Sequence, residues 1–283
     1  MPKPAPSIDA RPGPHSAALA AAEQALRLGR PDEAERLAAQ VLKSERLNVM
    51  AGRLLGAALL MQDRPAEAIE PLQRAARRSG DPAVETLLAR ALAGVGRIDE
   101  ALAQLRQATA RRPPWPQAFL ELGDQLAAHG RTDEAAAAFE AGLALSADAQ
   151  VLKVGLAYLR LKLGDRAGAR AIFEAVRAQA PERRDAQVGL AAVLAQEGDQ
   201  AAAAELYRAV LDARPDDAAA RIELAKCLLE MGKRDAGEAA LRVAAGADPR
   251  LAGQAVLALA ATPRGRLFLR PSAAAKFLGV ANA

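Results

Sequence analysis

Residues 96–101 read Gly-Arg-Ile-Asp-Glu-Ala, and nearly the same phrase returns at 130–135 as Gly-Arg-Thr-Asp-Glu-Ala. Working outward, Gly-Arg-Pro-Asp-Glu-Ala (29–34), Asp-Arg-Pro-Ala-Glu-Ala (63–68), Gly-Asp-Arg-Ala-Gly-Ala (164–169), Gly-Asp-Gln-Ala-Ala-Ala (198–203) and Gly-Lys-Arg-Asp-Ala-Gly (232–237) keep the same register. Successive copies are offset by 34, 33, 34, 34, 34 and 34 residues. A fixed period of this length marks a repeat architecture, in which each unit buries its apolar face only on its neighbours.

Each copy carries one physical grammar. A helical stretch holding Leu beside a small residue (Leu55-Gly56, Leu88-Ala89, Leu122-Gly123, Leu156-Ala157, Leu190-Ala191, Leu224-Ala225) runs into a Gly that can take the left-handed conformation ending a helix. Asp or Glu then opens a second helix, where the helix dipole favours it. Ala34, Ala68, Ala101, Ala135, Ala169 and Ala203 are expected to face the small residue of the first helix, with Ala138 off that contact. Four residues on, a larger group (Leu72, Leu105, Phe139, Phe173, Tyr207, Leu241) fills the next layer. Pro113, Pro181, Pro215 and Pro249 stop the second helix by removing an N–H and fixing φ.

This pattern resembles the tetratricopeptide repeat over residues 15–251, as seven copies starting at 15, 49, 82, 116, 150, 184 and 218. Departures are the missing Trp near each start, Asp63 in a Gly position and Gly237 in an Ala position. The resemblance implies an all-α, right-handed superhelical solenoid of antiparallel helix pairs. Residues 1–14, with Pro at 2, 4, 6, 12 and 14, are expected to form a disordered tail. Residues 252–283 are expected to supply a capping helix, over 252–262, and a C-terminal tail that breaks the repeat.

Composition agrees with packed helices. The chain has 74 alanines among 283 residues and 3% aromatics, too few large or β-branched side chains for a sandwich or barrel. The 38 Lys+Arg are nearly balanced by 34 Asp+Glu and spread along the chain, which disfavours nucleic acid as a partner. The longest apolar run, Leu54 to Met61, is too short to insert into a membrane, and a cytoplasmic location is expected. One Cys and two His exclude an internal disulfide and a His-rich metal site.

Nucleotide-binding and hydrolase motifs are absent, so no catalysis and no cofactor are expected. His129 reads as a helix-end side chain, Cys227 as a structural thiol, and Trp115 as a ring packed across the seam between repeats three and four. Arg74, Arg77, Arg78, Arg111 and Arg112 fall at ends of second helices, where cations complement the dipole.

What the resemblance leaves for function is the concave groove, lined by positions 2, 5, 9 and 12 of each copy. Arg53, Arg90, Val151, Val154, Tyr158, Val188, Ile222 and Lys226 form the expected peptide site: an apolar strip flanked by cations. The expected function is a non-catalytic protein–protein interaction scaffold or adaptor that binds a peptide or helix there. The alternative is an accessory or targeting subunit for a separate enzyme, such as an envelope or secretion-related transferase. Oligomeric state and the partner's identity stay open.

Overall fold

In a computed structural model, residues 15–146, 149–248, 251–261 and 271–279 are described. Among these residues there are sixteen helices and no strand. The first helices of the repeated pairs are α1 (Ser16–Arg27), α3 (Val49–Met61), α5 (Pro82–Gly94), α7 (Pro116–Ala128), α9 (Gln150–Lys162), α11 (Arg184–Glu197) and α13 (Ala218–Glu230). Their partners are α2 (Pro31–Ser44), α4 (Pro65–Ser79), α6 (Ile98–Ala110), α8 (Thr132–Leu145), α10 (Arg166–Gln179), α12 (Gln200–Ala213) and α14 (Arg234–Ala247). Two further helices follow, α15 (Ala252–Ala261) and α16 (Pro271–Leu278). The expected tail at 1–14 and the expected helix stop at Pro249 lie outside the described residues.

The chain divides into two compact units, residues 1–152 and 153–283. In unit 1 each first helix packs on its own second helix, and each second helix packs on the next first helix. In unit 2 the same order runs from α10 to α14, and α15 and α16 lie against α14. Leu278 and Ala274 of α16 are buried, and the Arg242 guanidinium sits 5.2 Å from the centre of the Phe277 ring.

The turns show why the phrase recurs. Gly96, Gly130, Gly164, Gly198 and Gly232 have φ between +74° and +91°. Asp63 holds φ +58° in the same place, a conformation Asp tolerates better than most side chains.

Two devices start the second helices. In unit 1, Arg64, Arg97 and Arg131 each reach a Glu three residues on, both ends of the guanidinium meeting Glu67, Glu100 and Glu134 at 2.6–2.7 Å. In α10 and α12 the acid moves to the cap: Asp165 accepts from the Gly168 N–H and Asp199 from the Ala202 N–H. Acids are therefore absent from the first turns of α10 and α12, where the repeat pattern led us to expect them. α6, α10 and α12 end two or three residues before Pro113, Pro181 and Pro215.

Beside the expected small-on-small contact, the layers interlock bulky residue on small residue. Gly56 is covered by Leu72, whose Cγ would lie 2.3 Å from a Cβ at that glycine, and Gly123 is covered by Phe139 at 2.4 Å. The small residue of the first helix thus receives the bulky residue of the second. In copy seven the expected small-on-small approach is present as well: a Cβ at Gly237 would lie 3.1 Å from the carbonyl oxygen of Ala225, the small residue of the first helix, and 2.8 Å from Leu229. Ala34, Ala68, Ala101, Ala135, Ala169 and Ala203 are fully buried, and so are Leu72, Leu105, Phe173 and Leu241. Burying each large side chain contributes about 1.5–3 kcal/mol. Ala138 is also buried, so it does not lie off the packed face.

Candidate groove on the first helices

Position nine of the first helices is exposed or half-buried in copies two to seven, whereas position eight beside it is buried in all six. In unit 1 this row is Ala57, Arg90 and Asp124; in unit 2 it is Tyr158, Ala192 and Lys226. Of the expected groove residues, Arg90 and Tyr158 are exposed, while Arg53, Val151, Val188 and Lys226 are half-buried. Val154 and Ile222 are corrections: at 5% and 1% exposure they are core residues. Val154 packs in the cluster around Phe173 and Leu190, and Ile222 in the one around Leu241 and Leu259.

Tyr158 is held in place. Its hydroxyl donates to the Asp185 carbonyl oxygen at 3.0 Å, and its ring meets Phe173 edge-on at 5.1 Å and 73°. Partial burial pushes its phenol up to about 12, so it is neutral. Half-buried Leu161, Val188 and Ala195 pack against the same cluster. Lys226 pairs with Glu223 at 2.6 Å.

In unit 1 the cations are also engaged. Arg53 points Nη2 at the Met50 sulfur, 3.0 Å away, and Arg90 lies 3.6 Å from Glu121. Asp124 belongs to the same row and was not among the expected site residues, although its position in the repeat equals that of Arg90 and Tyr158. Desolvation, aided by the Glu121 charge, pushes its carboxyl up to about 6. The side chain keeps an exposed surface, so water screens part of that effect.

The other singled-out residues are structural. Burial pushes the Cys227 thiol up to about 11, far from a nucleophile's range. His129 caps the end of α7, its Nδ1 2.8 Å from the Gln125 carbonyl oxygen. Trp115 departs from expectation: it precedes α7 and remains 40% exposed. Arg111 also departs from a simple dipole role, since both ends of its guanidinium bind buried Glu85. Among the described residues no cluster of His, Cys, Asp and Glu could hold a metal ion, and no helix is long and apolar enough to cross a membrane.

Fold and groove define an α-helical hairpin repeat protein. The tetratricopeptide-repeat pattern matches residues 19–82, 86–150 and 154–218, and again 194–260, which is more than half of the chain. The chain belongs to the tetratricopeptide-repeat family. Such a fold is in general a scaffold for protein–protein interaction.

Solved structures are similar at the level of the fold. A thermophilic tetratricopeptide-repeat protein from Thermus thermophilus is 26% identical, with TM-score 0.58, over 64% of this chain and 98% of its own. A tetratricopeptide-repeat protein from Parabacteroides merdae is 15% identical, with TM-score 0.63, over 94% and 98%. PilF of Pseudomonas aeruginosa is 17% identical, with TM-score 0.56, over 71% and 92%. No curated protein matches the sequence.

Proposed function

We propose that the chain is a non-catalytic adaptor that holds a partner peptide along the first helices of unit 2. The peptide's apolar side chains lie on Tyr158 and Val188, and an acidic group exchanges with Glu223 at Lys226. The observation that carries this reading is the ring of Tyr158. Phe139, Phe173 and Tyr207 are all buried, whereas Tyr158 is 38% exposed on the accessible row. It is also fixed by the Asp185 and Phe173 contacts, so a partner gains its area without ordering a mobile side chain.

The test is a capture experiment with the Tyr158→Ala/Lys226→Glu variant. Its helicity and unfolding midpoint are first matched to wild type. Loss of the partners that wild type retains supports the reading. Retention of every partner by the folded variant overturns it.

A further inference from the structure

A cleft of about 290 Å³ opens on the second-helix side of unit 1, away from the position-nine row. α4 and α6 form its walls and α5 its floor. Gln73, Ala76 and Arg77 come from α4, and Ala103, Gln104 and Gln107 from α6. Leu88 and Leu92 floor it beside Glu85.

The charges inside are largely spoken for. Glu85 is bound by Arg111, with Nη2 2.7 Å from Oε1, and Glu100 is bound by Arg97. Arg77 is exposed at the rim. Gln73, Gln104 and Gln107 make no hydrogen bond within the protein among the described residues, although Gln73 and Gln104 are half-buried.

At Gln104 the sequence breaks its own repeat. Position 23 of the copies holds Leu37, Pro71, Ala138, Ile172 or Leu206, and copy three has Gln104. Position 26 is polar in the first three copies, as Gln40, Arg74 and Gln107, and apolar in the later ones, as Ala141, Ala175, Ala209 and Val243. Packing thus accepts apolar side chains at both positions, so the amides are not required by the fold.

We infer that this cleft binds an uncharged, extended segment of a partner polypeptide through its backbone. A primary amide offers two donors and an acceptor, which matches the N–H and C=O of a main-chain peptide group. Gln73 on one wall and Gln104 and Gln107 on the other can pair with the two edges of one strand. Small Ala76 and Ala103 let the backbone approach, and apolar side chains can lie toward Leu88 and Leu92.

The test uses the 15N-labelled full chain titrated with the blocked peptide N-acetyl-Gly-Ala-Leu-Ala-Gly-amide. The side-chain NH2 resonances of Gln73, Gln104 and Gln107 should shift in a saturable way. The Gln104→Leu/Gln107→Ala variant carries the residues of copy six, Leu206 and Ala209, and so keeps the fold. It should bind at least tenfold more weakly, and Tyr158→Ala should bind as wild type does. Equal binding by the double variant, or unmoved Gln amides at saturating peptide, overturns the inference. So does trehalose, if this polyol moves the same resonances at lower concentration than the peptide.

Discussion

Phe139 covers Gly123 so closely that a methyl group on that glycine would sit 2.4 Å from the ring. The relation couples sequence to spacing, since the ring occupies the volume a side chain on the facing helix would need. Gly123→Ala and Gly56→Ala should each lower stability, because overpacking costs about 1–3 kcal/mol and exceeds the helix-propensity gain of about 1 kcal/mol. Gly246 lies in α14 with nothing within 4 Å of its missing Cβ, so Gly246→Ala should raise stability. Urea midpoints for the three variants check the opposite signs.

Much of this was legible in the sequence because a 34-residue period fixes helix order, turn and layer together. The turn glycines with positive φ, and the buried Ala and bulky positions, follow directly from it. The exposure of individual groove residues was not legible. Val154 and Tyr158 lie four residues apart on one helix, yet one is core and the other open, a difference of about 40° in helical phase set by how α9 is rotated on its neighbours. Arg111 was equally hidden: its partner Glu85 is 26 residues away, and nothing in either local pattern marks the pair.

The second-helix alanines give a sharper test of phase. Ala135 and Ala203 are fully buried, and Ala137 is exposed on the same helix as Ala135. Ala135→Leu and Ala203→Leu should each cost about 1–3 kcal/mol or more. Ala137→Leu should leave the melting temperature within a degree or so of wild type. Equal melting of all three would contradict the helix rotation described above.

Cys227 should be silent in the native protein. It is 2% exposed and its thiol is pushed up to about 11 by burial, with Glu223 adding to the effect. Iodoacetamide at about pH 8 should leave it unmodified in buffer and alkylate it fully in urea, as read by intact mass. Rapid native labelling would mean that α13 opens locally.

Replacing Arg111 by Ala should destabilise unit 1 more than replacing both members of its pair. The single change leaves the Glu85 carboxylate buried without a partner, whereas Glu85→Leu/Arg111→Leu removes both charges. Melting curves should place the double variant above Arg111→Ala. The reverse order would show that Glu85 finds water once Arg111 is gone.

Two aspartates should shape the acid side of the stability curve in separate windows. Asp217 accepts from Arg184 and from the Ala220 N–H, which hold its carboxyl below the ordinary 3.8. Its stabilisation is present above that value and is lost as pH falls through the folded pKa. Asp124 works in the opposite sense. Its folded carboxyl is pushed up to about 6, so between 3.8 and 6 the native state keeps a proton that the unfolded chain has released. Stability then falls as pH rises through that window and is flat on either side of it. The charges beside Asp124 are Glu121 on its own helix and Arg90, which reaches Glu121 from α5. Asp124→Asn should therefore remove the downward slope between about pH 4 and 6, while Asp217→Asn should lower stability by a constant amount above about pH 4 and remove the loss on acidification below it. Urea midpoints taken across this range decide it: parallel curves for wild type and Asp124→Asn would mean that the carboxyl titrates as an ordinary solvated acid.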